Sequence, residues 1–123
     1  MLTYENVVEK AFEALPEFRE ETINLLQKNI LYPDSGVYII FDYAFVPVLL
    51  RAFQKKDVDL LHRMFDFMEE MVKSQDKEVG SVCDFSILEA ICGKVPEEDL
   101  YRYMRTETRK DLDFMRFSIG YLD

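Results

Sequence analysis

The sequence predicts a single all-α domain of about six or seven helices packed as antiparallel hairpins, and three observations point to it. Apolar side chains recur at three- and four-residue steps along most of the 123 residues, the spacing that gathers them on one side of a helix. Only 4 Gly and 4 Pro interrupt the chain, fewer than the turns of a many-stranded sheet require. The composition is 49% hydrophobic, with 10 Phe, 7 Tyr and 6 Met, enough for a real core and too apolar for disorder.

Each element follows from local chemistry. Thr3 is placed to cap a first helix over 4–14, with Val7, Val8, Ala11 and Phe12 on one face. Pro16 suits the first turn of a second helix, where its missing N–H costs nothing; Phe18, Thr22, Leu25, Leu26 and Asn29 mark the inner stripe. Tyr32-Pro33-Asp34-Ser35-Gly36 reads as a turn. Residues 37–53 are ambiguous at their start. Val-Tyr-Ile-Ile-Phe is rich in strand formers, whereas Tyr38, Phe41, Phe45, Val48 and Ala52 recur at helical spacing. Length favours a buried helix, with a kink or break at Pro47.

Asp57 should cap a helix over 58–74 with the stripe Val58, Leu61, Phe65, Met68 and Val72, widened by Met64 and Met71. Asp76 should cap the next, 77–92, with Val79, Val82, Cys83, Ile87, Leu88 and Ile91 inward and Gly93 as its stop. Glu97, Glu98 and Asp99 open a further helix at the positive end of its dipole. Thr106 is placed to cap a last one, with Leu112, Met115 and Ile119 inward.

The charge is −9, from 15 basic and 24 acidic residues. Residues 1–61 hold 6 basic and 10 acidic side chains and 62–123 hold 9 and 14, so the halves carry −4 and −5. A field spread this way repels nucleic acid and anionic lipid and speeds encounter with basic partners; it also serves plain solubility. The first ten residues carry Glu5 and Glu9 and lack the apolar stretch of a signal peptide. The longest apolar run, 37–50, is broken by Asp42 and is short for a bilayer. A reducing, cytoplasmic home follows, with Cys83 and Cys92 as free core thiols.

The segment Asp76-Lys77-Glu78-Val79 followed by Ser86-Ile87-Leu88-Glu89-Ala90-Ile91 resembles the second half of a HEAT-type repeat. More widely, Asp59-Leu60-Leu61-His62-Arg63-Met64-Phe65-Asp66-Phe67-Met68-Glu69-Glu70, then Asp76 to Val79, Ser86 to Glu89 and Tyr103-Met104-Arg105-Thr106-Glu107-Thr108-Arg109, resembles small all-helical bacterial immunity proteins of polymorphic-toxin and contact-dependent growth-inhibition systems. The similarity covers about 57–110, and none of its stretches is a signature with a chemical role, so it transfers no functional residue. It implies a protein that neutralises a toxin domain by covering its active surface. A dispersed negative field suits that task where the toxin is a basic nuclease.

Candidate contacts are therefore outward carboxylates, Asp66 and Glu70 on one helix and Asp84 and Glu89 on the next, joined by Tyr101 and Arg105 with their neighbours Arg102 and Tyr103, residue types enriched at binding hot spots. Asp42 lies among Tyr38, Ile39, Ile40, Phe41, Tyr43 and Phe45. Burying it alone is costly, so it should be paired, capped or exposed; if exposed, it forms a binding patch with Tyr43. His62, the single histidine, has Asp59 three residues before it and Asp66 four after. One histidine without a second ligand motif points to an ordinary carboxylate-paired side chain rather than a metal site. No nucleophile motif or phosphate-cradling loop is present, so no catalytic residue, metal or other cofactor is expected. The alternatives are an acidic adaptor or regulator of a non-toxin protein, and an enzyme using carboxylates or a metal at His62.

Overall fold

The computed structural model describes residues 1–118, and among them there are seven helices and no strand. Helix α1 spans Val7–Ala14. It is entered through a reciprocal pair of bonds: the Thr3 hydroxyl accepts the Asn6 N–H at 3.2 Å, and the Asn6 side chain accepts the Thr3 N–H at 2.8 Å. Thr3 thus closes the turn over residues 4–6, and the helix itself begins at Val7, later than predicted, with no side-chain bond from Asn6 at its cap position. Leu15 leaves the helical region before Pro16, as the residue preceding proline must, and Pro16 opens α2, Pro16–Gln27. Phe18, Thr22 and Leu25 are buried as expected, and the Thr22 hydroxyl is satisfied by the Phe18 carbonyl at 2.9 Å.

Asn29 is not on that inner stripe. It lies beyond the helix end at φ 59°, letting the Ile30 N–H reach the Leu25 carbonyl at 2.9 Å, a left-handed C-terminal stop that asparagine tolerates. The turn at 32–35 closes as expected, Ser35 N–H to the Tyr32 carbonyl at 2.9 Å.

Helix α3, Val37–Lys55, is continuous for 19 residues, so the strand formers at 37–41 are helical. Burial decides the matter: Phe41, Ala44, Phe45 and Leu49 have no exposure. Phe18, Phe41 and Phe45 meet with ring centroids 5.2 to 5.4 Å apart, fixing α3 against α2. Pro47 does not break the helix. Instead the chain widens into a π turn over Phe41–Phe45, where the Val46 N–H reaches five residues back to Phe41; the looser turn just before the proline accommodates its ring and absent N–H. Because the helix runs past the apolar segment to Lys55, it is by length and composition alone long and apolar enough to cross a membrane, contrary to the expectation from 37–50. In the fold its phenylalanine face forms the core.

Helix α4, Val58–Lys73, is central and touches α1, α3, α5, α6 and α7. Asp57 caps it through the Leu60 N–H at 3.2 Å. Leu61, Met64, Phe65, Met68 and Met71 are buried, whereas Val58, predicted inward, is half exposed because the first turn projects past the packing. Helix α5 covers 77–91. One Asp76 oxygen caps it through the Glu78 N–H at 3.1 Å and the other takes the Tyr4 N–H at 2.8 Å, tying the N-terminus to the α4–α5 turn. Its predicted core residues are all fully buried. Gly93, at φ 89°, ends the turn that follows.

Helix α6 is Glu97–Tyr103, and α7 covers 106–118. Leu112 and Met115 point inward; Ile119 lies outside the described residues. Short connections make α1/α2, α3/α4 and α4/α5 antiparallel neighbours, and α3 and α5, both antiparallel to α4, run parallel to each other.

Candidate functional site

The contact between α3 and α5 places several exposed apolar groups next to acidic ones. The Ser86 hydroxyl donates to the Tyr38 carbonyl at 3.0 Å, and the Tyr38 hydroxyl donates to Glu78 at 3.3 Å. These bonds hold the two helices side by side. Outward from this seam stand Ile39 (46% exposed), Tyr43 (49%) and Phe85 (49%). Asp42 is exposed beside Tyr43, which resolves its placement at an accessible edge. Its carboxyl is held above the usual range by partial burial and by repulsion from Glu89, with the Lys94 ammonium acting against both. Asp42, Tyr43 and Glu89 therefore share one face. Ile39 and Phe85 belong there too, and sequence reasoning missed them; the available signal was a phenylalanine off the α5 stripe, between Cys83 and Ile87.

The remaining candidates separate. Asp66 binds Arg105 across α4 and the start of α7 at 3.1 Å. Glu70 is exposed at another edge, beside Phe67, Lys10 and Leu2. His62 is exposed, but it is not paired to a carboxylate as expected: its ring meets Tyr103 edge-on at 5.2 Å. Asp59 is taken by Arg63 at 2.9 Å, and Arg63 also grips Glu17 with two bonds of 2.7 and 2.9 Å. This bidentate pairing holds Glu17 below the usual carboxylate range. Among the described residues no group of three or more His, Cys, Asp or Glu is arranged to hold a metal ion. Tyr103 packs among Phe53 and Phe65. Tyr101 donates to Asp113 at 2.7 Å beneath the Arg109 guanidinium; burial, then the bond to Asp113, push its hydroxyl up to about 12. Both tyrosines are half-buried and make these contacts within the chain.

One family, described as "Domain of unknown function (DUF7674)", matches residues 8–117. The chain belongs to the DUF7674 family. No curated protein and no solved structure matches it.

Two carboxylates of this DUF7674 chain depart from an outward role. Asp84 is half-buried rather than on an outward face, because it lies at the edge of the α5 core stripe where α7 packs. There it meets Asp111. Burial first, then the shared hydrogen bond with Asp111 and its charge, raise the Asp84 carboxyl to about 8; the proton belongs to the pair. The other is Glu69, 6% exposed on α4. Its oxygens accept the Glu107 N–H at 3.0 Å, the Thr108 N–H at 2.9 Å and the Thr108 hydroxyl at 2.9 Å. Burial acts to raise this carboxyl, yet the donors outweigh it and hold it low. Glu69, not Thr106, therefore caps α7, and Thr106 is its first helical residue. Cys83 and Cys92 are free, and burial pushes the Cys83 thiol well up.

Proposed function

We propose that this DUF7674 domain is a binding module that presents its α3/α5 face to a basic protein partner, and that the partner is a toxin domain whose active surface it covers. The observation that carries the reading is that Ile39 and Tyr43 on α3 and Phe85 on the adjacent α5 are each about half exposed, with Asp42 and Glu89 near one another on the same pair of helices. Large apolar groups beside two carboxylates, with Lys94 close to one of them, fit a partner surface with aliphatic or aromatic groups among arginines and lysines. The net charge of −9 favours fast encounter with such a surface. The free thiols fit a reducing, cytoplasmic setting. The immunity role itself rests on the resemblance of residues 57–110.

The test is co-expression with a toxin domain encoded beside the gene. The reading predicts protected cells and a complex on a sizing column. It also predicts that Tyr43→Ala with Phe85→Ala abolishes both without altering the fold by circular dichroism. Absence of complex and protection with the native chain would end the toxin reading.

A further inference from the structure

Helix α7 is held to the bundle by two carboxylate contacts of different kinds. At its first turn Glu69 accepts two backbone N–H groups and a hydroxyl. Further along, Asp111 faces Asp84 across the α5–α7 packing, and the Asp84 Oδ1 oxygen is sealed from solvent with no hydrogen-bond donor among the described residues. Two carboxylates cannot both ionise at such a contact without strong repulsion.

We propose that α7 is a proton-dependent clasp, closed while Asp84 and Asp111 share a proton and loosened when both carboxyls ionise. The surroundings offer the pair little relief. From α4 the ionisable group near this contact is Glu69, already committed to the start of α7. On α3, Tyr38 donates to Glu78 and Asp42 is repelled by Glu89. On α5 itself the ionisable group is Cys83, whose thiol is buried and kept neutral by burial and by Asp84 and Asp111. On α7, Arg109 lies over the Tyr101 ring and Lys110 over Glu107. Buried Thr108 precedes Asp111, and the apolar anchors Leu112 and Met115 follow it, so loosening this stretch exposes core. The raised Asp84 carboxyl agrees with this geometry: the closed pair keeps its proton up to about pH 8, where the open chain has already lost it, so opening grows with pH below that value and levels off above it.

Hydrogen exchange of the α7 amides, corrected for the intrinsic pH dependence of exchange, tests the clasp. In the native chain opening of α7 should increase on the order of tenfold or more between pH 6 and pH 9, because the closed form gives up a proton that the open form does not hold. The α1 and α2 amides should change far less. Asp111→Asn supplies a permanent donor and should flatten the response; Asp84→Asn, made in parallel, should do the same if the first variant folds poorly. The proposal is overturned if the native chain shows no such increase, if α1 and α2 open in step with α7, or if the increase persists in either folded variant.

Discussion

Acidic side chains on α4 and those on the α3/α5 face meet opposite surroundings. On α4, Asp59 binds Arg63, Asp66 binds Arg105 and Glu69 binds the first turn of α7. The aromatic groups there turn inward, Tyr103 against Phe53 and Phe65. On α3/α5, Asp42 is repelled by Glu89, with Lys94 opposing that repulsion, and Ile39, Tyr43 and Phe85 turn outward. The same residue types therefore build the fold in one place and remain exposed in the other, on the face proposed to meet a partner. What decides is whether a donor or an apolar shelf from elsewhere in the chain arrives to meet them.

Removing an internal donor set should break the α4 side of this contrast most. Glu69→Ala deletes a buried cap and strands the N–H groups of Glu107 and Thr108, so we expect a loss of about 2–4 kcal/mol in urea denaturation. Glu69→Gln should lose less. Because the Glu69 carboxyl is lower in the folded chain, its contribution is present above about pH 4 and lost as pH falls through the folded value.

Asp84 should behave in the reverse sense. Its carboxyl is raised on folding, so stability declines as pH climbs from about 4 towards 8 and levels off above. Asp84→Asn should remove that decline and raise stability by roughly 1–2 kcal/mol at pH 8 while changing little at pH 4. The midpoint of urea denaturation across that range checks it. The smallest effect belongs to Asp66→Ala. Its partnership with Arg105 joins side chains that are 57% and 61% exposed, and such pairs contribute no more than about 0.5 kcal/mol. A larger loss would show that the pair is structural after all.

The parts legible in sequence were those set by near neighbours. Pro16, Asp57, Asp76 and Gly93 mark helix ends because caps and stops act within one turn. The helical spacing also gave the α5 core residue by residue. The rest depends on distant contacts. Glu69 caps a helix 38 and 39 residues away, which no local pattern announces. Asp84 lies one residue after Cys83 and three and four before Ile87 and Leu88, at the edge of the buried stripe, and it is covered because α7 packs against this part of α5, a distant contact that local spacing does not announce. Lys56 and Asn29 adopt left-handed stops that glycine would have advertised. Within the candidate face, Asp42 and Tyr43 were readable as a polar break in an apolar run. Their union with Phe85 and Glu89 depended on α3 and α5 lying parallel across α4.

If the proposed toxin partner is found, the affinity of paired variants for it bears most directly on the division between the two faces. Tyr43→Ala with Phe85→Ala should weaken binding about a hundredfold, equivalent to roughly 2.7 kcal/mol, while Asp66→Ala with Glu70→Ala stays within a fewfold of the native chain. The opposite order, with the α4 pair essential and the α3/α5 pair dispensable, would contradict the account.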